Sequence, residues 1–323
     1  MKAAVYYENG PPSVFRYEDV PDPVCGPDGV VIDVEVVSIE GGDTLNRAGG
    51  ALVTTPHIVG YQCAGTIREI GANVTERAVG QRVVAVMGFG SHAERVAVPA
   101  AATWPVPEGL DTKIAACVPI AFGTADDCLF EFGRLKAGET VLIQAGAGGV
   151  GLAAIQLAKR AGATVLATAS SDNKLARLKE FGLDHGINYR TSDFPGEARR
   201  LTDGKGVDLV VDSVGGKTLQ GSLESLAYRG RAITVGNAGR DAATRPDVGV
   251  LMQGNRSLTG VFLGAESLVN PARVRAMVQR HFDDIAAGKL RVVIDRTYPL
   301  SEAAAAHAYI ESRAAFGRVV LTV

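Results

Sequence analysis

Cysteine is scarce in this chain, and the few that occur lie far apart. Cys25, Cys63, Cys117 and Cys128 form no C-x-x-C pair among 323 residues. That argues against a disulfide framework and a structural zinc knot, and makes a reducing cytoplasm the expected compartment. An excess of one charge is also lacking. The formal net charge is −2, so no nucleic-acid partner is expected, although a phosphate-bearing cofactor would require a local positive patch. No run of about 18 apolar residues occurs, so no membrane span is expected. The opening MKAAVYYENG has one Lys and no long apolar stretch, and does not read as a signal peptide. What is present is an ordinary globular composition, 46% hydrophobic and 21% charged, in a length comfortable for two cores.

Two textures divide the chain. Up to about residue 118 it is β-rich. Val30-Val31-Ile32-Asp33-Val34-Glu35-Val36-Val37 partly alternates, as a half-buried strand does. Gln62–Ile70 and residues 81–87 and 92–98 are further β-prone runs, closely punctuated by Gly and Pro, which predicts a small barrel or sandwich. From about 119 to 265 short apolar runs alternate with helix-prone stretches. Strands are expected at 139–144, 163–168, 207–212 and 231–235, with helices at 152–161, 174–181 and 219–227. This β-α-β-α order predicts a doubly wound parallel sheet. The tail holds helix-like stretches at 274–287 and 302–313 and closes in the strand-like GRVVLTV. The simplest arrangement inserts a nucleotide domain into a β-rich domain that the tail completes.

The apolar run at 139–144 feeds Gly146-Ala147-Gly148-Gly149-Val150-Gly151, a G-x-G-x-x-G turn that opens a helix. In such a turn the first glycine permits the tight bend, the second lets backbone approach a pyrophosphate, and the third lets helix pack on sheet. The helix N-terminus then offers N–H groups and a favourable dipole to the anion. An NAD-specific domain carries Asp or Glu at the tip of the next strand. Here the tip reads Ala167-Thr168-Ala169-Ser170-Ser171, and Asp172 follows at the start of a helix. Without the acid, a 2′-phosphate is not repelled. Ser170 and Ser171 can donate to it, and Lys174 either reaches it as a point charge or is a solvated helix lysine. The cofactor expected from these residues is NADPH.

The ordered series MKAAVYYENG-PP, VGYQCAGTIREIG, VGQRVVAV, LKAGETVLIQAGAGGVGLAAIQLAK, VDLVVDSVGG and GRVVLTV resembles the medium-chain dehydrogenase/reductase superfamily, and within it the zinc-free NADPH:quinone oxidoreductase branch. The resemblance runs over essentially the whole chain. It implies an α/β fold with a Rossmann doubly wound parallel sheet domain over residues 122–265, which binds NADPH, and a GroES-like β-rich catalytic domain over 1–121 and 266–323. It also implies a cleft between the domains and a homodimer. By position, Thr124 matches a threonine beside the nicotinamide. Lys174 and Tyr189 match residues that hold the 2′-phosphate, and Gly236 and Asn237 the loop near the nicotinamide ribose. Phe262 falls where backbone meets the carboxamide, and Arg318 resembles a basic residue near the pyrophosphate. Each has a plainer alternative: Tyr189 at a core edge, Phe262 half in the core, Arg318 at the surface.

Alcohol dehydrogenases of the superfamily hold zinc with Cys, His and Cys. The matching positions here are Glu40, Tyr61 and Ile120, and Ile cannot act as a ligand. No metal is therefore expected, and the lobe that binds a structural zinc is missing. Without a Lewis acid, a conjugated acceptor is the easier substrate, because charge from hydride attack spreads onto a carbonyl oxygen that hydrogen-bond donors can stabilise. The branch often carries Asn and Tyr where this chain has Glu40 and Leu45, whereas Asp43 matches the family acid. Tyr61 is the substitute donor, with Glu40 close by to orient it or to carry the proton itself; alternatively Tyr61 only shapes the pocket and water supplies the proton. Arg47 is read as a structural ion pair rather than a guide for an anion. His92 is expected at the pocket mouth or on the barrel surface. The expected activity is zinc-independent transfer of hydride from NADPH to a small-molecule quinone or enone. The alternatives are a reductase of unsaturated thioesters or acids, and a non-catalytic NADPH-binding sensor.

Overall fold

The computed structural model describes residues 1–241 and 243–323. They form two compact units, Met1–Ile120 with Val278–Val323, and Ala121–Met277. The chain returns to the first unit inside the helix Pro271–Ala286. The change of composition near residue 265 comes earlier, and no linker marks the return.

The first unit begins with β1 (Lys2–Tyr6), β2 (Arg16–Asp19), β3 (Gly29–Ser38), β4 (His57–Ile58), β5 (Gln62–Ile70), β6 (Arg82–Val86), β7 (Arg95–Pro99) and β8 (Thr103–Pro105). The second unit contributes β9 (Thr140–Ile143), β10 (Thr164–Ala169), β11 (His185–Asn188), β12 (Val207–Asp212), β13 (Leu226–Thr234) and β14 (Ser257–Gly260). Back in the first unit, β15 (Ile294–Pro299) and β16 (Arg318–Thr322) complete it.

In the first unit the strands run β15-β16-β3-β5-β6-β8, with β7 also paired to β3, and a smaller sheet runs β2-β1-β4. The sequence reads β3 as half-buried, yet most of its residues are buried. It pairs with β5, β7 and β16 along different stretches and carries two register irregularities. Its Val30, Ile32, Val34 and Val37 pack in one core with Cys63, Ile67, Val83 and Val96, and with Ala303, Ala306 and Leu321 from the tail. The antiparallel register of β16 on β3 pairs Val320 with Ser38 and Leu321 with Val37. Two residues further along, that register sets Arg318 opposite Glu40.

The second unit is one six-stranded sheet in the order β11-β10-β9-β12-β13-β14, and every pairing in it is parallel. Numbered within the unit, this is 3-2-1-4-5-6, the doubly wound order expected from the alternating texture. Helices Gly149–Arg160, Asp172–Leu178, Phe194–Arg200 and Gly216–Glu224 separate the strands. Buried on both faces, the central strands read as largely apolar runs. The order reverses between β9 and β12, and ligands of such sheets bind outside the carboxyl ends of the strands at that point.

Candidate functional site

In the second unit, most of the residues expected at a cofactor gather at the carboxyl ends of successive strands. The glycine turn follows β9, Ser170 and Ser171 follow β10, and Tyr189 follows β11, where its N–H donates to Ala169 O at 3.2 Å. Gly236 and Asn237 follow β13, and Phe262 follows β14 and caps the helix Leu263–Val269. Phe262 is 74% exposed, so its side chain is not the core residue the sequence allowed. Thr124 is buried in the helix Pro119–Asp126, which passes directly into the π-helical turn Asp127–Glu131.

The glycines of the turn divide their work differently from the sequence expectation. Ala145, not a glycine, takes the left-handed backbone, at φ 52°. Gly146 is required by packing, since a Cβ there would stand 2.9 Å from the Ala167 Cβ. A Cβ on Gly151 would collide with Ala145 O and with the backbone of Gly146, so the helix starts tight against its own turn. That helix starts at Gly149, capped by Gly148, with no acid in its first turn and Lys159 and Arg160 in its last. Its opening N–H groups lie at the electropositive end of the helix.

The tip of β10 also suits an anion. Ser171 caps the next helix by accepting from Lys174 N at 3.3 Å, which leaves its own O–H able to donate. The nearby acid, Asp172, accepts from Asn188 Nδ2 at 3.0 Å. Asp172 is thus tied to the end of β11 as well as serving the helix start.

A buried chain of hydrogen bonds underlies this edge and was not anticipated from sequence. Ala145 N donates to Thr168 Oγ1 (3.2 Å), Thr168 Oγ1 to Gln144 Oε1 (2.7 Å), Gln144 Nε2 to Ser222 Oγ (3.0 Å), and Ser222 Oγ to Asp212 Oδ2 (2.7 Å). Asp212 Oδ1 accepts from Val214 N and Gly215 N, both at 2.8 Å. The ends of β9, β10 and β12 are laced together by side chains that are all buried. The sequence signal was available: polar residues stand at the ends of otherwise apolar strands, where a buried polar group has to find partners.

The first unit brings together Glu40, Asp43 and Tyr61. The helix Gly41–Gly49 starts on Glu40, whose backbone N–H donates to Asp43 Oδ2 at 2.8 Å. Two acids at a helix N-terminus suit its dipole. Burial pushes the Asp43 carboxyl well above the usual carboxylate range, and the Glu40 charge beside it adds to the shift. Its Oδ1 is buried without a hydrogen-bond partner.

Glu40 does not orient Tyr61. Its carboxylate is held by Gln62 Nε2 and by both terminal nitrogens of Arg318, Nη1 at 3.0 Å from Oε2 and Nη2 on Oε1. Burial raises the Glu40 carboxyl, and Arg318 pulls it back. Arg318 also donates through Nε to Ser38 Oγ (3.1 Å) and through Nη2 to Ser38 Oγ (2.7 Å) and Ile39 O (2.8 Å). This corrects the plainer of the two expectations for Arg318. It is not a surface residue, because the register of β16 on β3 delivers it to Glu40.

Tyr61 is held instead by Asn46, whose Nδ2 donates to the phenol oxygen at 2.7 Å. Burial first, then the Asp43 charge, pushes the Tyr61 phenol up to about 12. Arg47 is fully buried, paired with Glu311 and bonded to Gly10 O and to His307 Nδ1 (3.4 Å), as the ion-pair reading has it. His92 departs from both sequence readings: it is wholly buried, with Nε2 3.1 Å from His307 Nε2, and burial holds it down at about 3.

The residues at the zinc positions do not fit a zinc ion. Glu40 is committed to Arg318, the Tyr61 phenol holds its proton to about 12, and Ile120 offers only its N–H, to Gln62 Oε1 at 3.2 Å. Among the described residues no group of three or more His, Cys, Asp or Glu side chains is arranged to hold a metal.

A 3-2-1-4-5-6 sheet with a glycine turn at its switch point, inserted into a β-rich unit, is the plan of the two-domain dehydrogenases and reductases. Comparison with known proteins agrees. A family model described as an alcohol dehydrogenase GroES-like domain matches residues 26–108, and one described as a zinc-binding dehydrogenase matches residues 149–283. The chain is 35% identical over 331 residues to a 2-haloacrylate reductase of Burkholderia sp, covering 99% of this chain and 98% of that protein. It superposes on a quinone oxidoreductase of Pseudomonas syringae pv. Tomato DC3000 with a TM-score of 0.94 at 31% identity, over 100% of this chain and 99% of that one. The Escherichia coli quinone oxidoreductase complexed with NADPH gives a TM-score of 0.95 at 28% identity, over 100% of both chains. The chain belongs to the medium-chain dehydrogenase/reductase superfamily, in its zinc-free NADPH:quinone oxidoreductase branch.

Proposed function

We propose that the protein is a zinc-independent oxidoreductase that uses NADPH to reduce a neutral conjugated carbonyl compound, a quinone or an enone. The observation that carries this reading is the state of the residues at the zinc positions. A protonated phenol, Tyr61, stands there beside a carboxylate neutralised by arginine. Such a site can donate a hydrogen bond to a carbonyl oxygen and cannot polarise an alcohol as a metal does.

When bound, NADPH supplies a hydride. The backbone of Gly146, Gly148, Gly149, Val150 and Gly151 would hold its pyrophosphate at the start of the helix Gly149–Arg160. Ser170, Ser171, Lys174 and Tyr189 would hold the 2′-phosphate. Thr124, Gly236, Asn237 and the Phe262 backbone would position the nicotinamide end. Tyr61 donates to the substrate oxygen as charge develops there, and Asp43 and Glu40 fix the helix on which its partner Asn46 stands.

A second reading, reduction of an α,β-unsaturated acid, draws on the likeness to a 2-haloacrylate reductase. The charges of the first unit favour the neutral acceptor. Arg318 is matched by Glu40 and Arg47 by Glu311, so neither is offered to a substrate carboxylate. The reading includes a homodimer. Strand β14 is the edge of its sheet, and the segment after it exposes Phe262, Leu268 (84%) and Val269 (75%), an edge that a second copy would cover. The four cysteines are free thiols, which suits the cytoplasm.

The test is NADPH oxidation by purified protein with 1,4-benzoquinone, 2-cyclohexenone, an enoyl thioester and a saturated aldehyde. Turnover of the first two, unchanged by a chelator, is expected. Turnover confined to the aldehyde, or abolished by chelation, would overturn the reading. Tight NADPH binding without turnover would point to a sensor.

A further inference from the structure

We infer that Asn46 and Gly42 fix the direction in which Tyr61 gives up its proton, making them positioning residues for proton delivery; this rests on the reading of Tyr61 as the donor. Both stand on the helix Gly41–Gly49, four positions apart and so on one face. Asn46 approaches the phenol with an N–H, at 2.7 Å. An N–H on the oxygen cannot accept the phenol proton, and among the described residues no acceptor takes the Tyr61 O–H. The proton is therefore left for a group outside this cluster.

Gly42 makes the position possible. A Cβ there would stand 2.6 Å from both Tyr61 Cε2 and Tyr61 Oη. The phenol edge rests on bare helix backbone, and the atoms that would yield to a side chain are those of the hydroxyl end. Gly42 has no left-handed φ to explain its presence, so the space is the requirement.

The step balances within the named groups. The Tyr61 O–H bond breaks, its electron pair stays on the phenol oxygen, and the proton forms a new bond to the reduced substrate. The Asn46 N–H then faces a phenolate, and a hydrogen bond to an ionised acceptor is stronger than one to a neutral phenol. Its stabilisation grows as the proton leaves, which is the kind of interaction that raises kcat rather than lowering KM. Solvent reprotonates Tyr61, which is only part-buried.

The experiment compares Asn46→Asp, Gly42→Ala and Tyr61→Phe, and adds Asn46→Asp in the Tyr61→Phe background. Turnover is read with NADPH and 1,4-benzoquinone or 2-cyclohexenone. Alongside it run the melting temperature, the NADPH dissociation constant, and the Tyr61 titration by NMR of 13C-tyrosine protein. Asp at 46 has the shape of Asn but only accepts, so it captures the phenol proton. The expected result is a kcat lower by about tenfold or more, an unchanged NADPH dissociation constant, and a Tyr61 titration moved further up. In the Tyr61→Phe background the same change should alter kcat by less than about twofold. Gly42→Ala should lower kcat while the melting temperature holds or rises, since Ala is the better helix former.

If Tyr61→Phe loses activity but Asn46→Asp keeps it, the amide faces the phenol with its oxygen and the inference fails while the donor reading stands. An equal loss in the Tyr61→Phe background overturns it too. If Tyr61→Phe is fully active, the donor reading itself fails, and an unmoved Tyr61 titration in Asn46→Asp then overturns the positioning role separately.

Discussion

Arg318 faces Glu40 across the β16–β3 pairing, 278 residues away in sequence, and holds its carboxylate with both terminal guanidinium nitrogens inside the β-rich unit. Removing one partner of a buried ion pair leaves the other uncompensated. Glu40→Ala should therefore destabilise the protein by about 3–5 kcal/mol, read as a lower midpoint in urea unfolding. A shift under about 1 kcal/mol, the size of a surface pair, would show that the arginine finds water instead.

Tyr61→Phe removes the proposed donor and leaves the ring. General acids contribute about 10²–10⁴-fold, so kcat should fall by about a hundredfold with little change in KM. The phenol is pushed up to about 12, so it stays protonated through neutral pH. The wild-type kcat profile should show no limb from Tyr61 between pH 6 and 9 (about the usual assay range). A limb in that range that disappears in Tyr61→Phe would contradict the burial of the phenol.

His92 links stability to acid. Burial holds it at about 3 in the folded chain, against an ordinary 6.5. Between those values the unfolded chain binds a proton that the folded chain does not, so stability rises with pH across that window and falls as acid is added. Relative to His92→Gln, the wild type should lose roughly 2 kcal/mol on going from pH 7 to pH 5. Urea midpoints for the two proteins at both pH values measure the difference. A constant gap would mean that His92 charges without cost.

Lys174 separates the two nicotinamide cofactors. If it meets the 2′-phosphate, Lys174→Ala loses a charge-assisted contact and should weaken NADPH binding by about tenfold or more, while NADH binding stays within about twofold. Titration calorimetry with both cofactors decides it; equal losses would make Lys174 an ordinary helix lysine.

The exposed edge at β14 bears on assembly. Leu268→Asp with Val269→Asp places two charges on the apolar segment beside that edge. If the proposed homodimer forms through this edge, light scattering after size exclusion should report a dimer for the wild type and a monomer for the variant. An unchanged dimer would put the contact elsewhere on the surface.

The centre of the parallel sheet was legible because strands buried on both faces leave apolar runs such as TVLI at β9 and VDLVVD at β12. Its two edges were not. β11 reads HGIN and β14 reads SLTG; an edge strand is partly exposed and needs neither continuous apolarity nor strong β-propensity. The same contrast holds at the sites. The glycine turn could be read because its function is local, one strand and one helix in sequence. Arg318 could not, because its partner is set by a strand register that joins the end of the chain to residue 40. His92 was misplaced for a related reason: its neighbour His307 lies 215 residues away. The tyrosine at position 61 stands out in the sequence by its place in the motif, while Asn46, its hydrogen-bond partner, carries no signal beyond proximity.

The side-chain lacing from Ala145 through Thr168, Gln144 and Ser222 to Asp212 also has a thermodynamic consequence. It sets the strained Ala145 backbone and three strand ends before any ligand arrives. Ordering a loop on binding subtracts from affinity, and a receptor already in its bound shape avoids that loss. Association of the proposed cofactor at this turn would then be rigid docking, with its enthalpy undiminished by folding of the receptor. Cutting the lace far from the ligand, as at Ser222, would appear as a weaker complex with a larger entropic penalty, although no contact to the ligand had been touched.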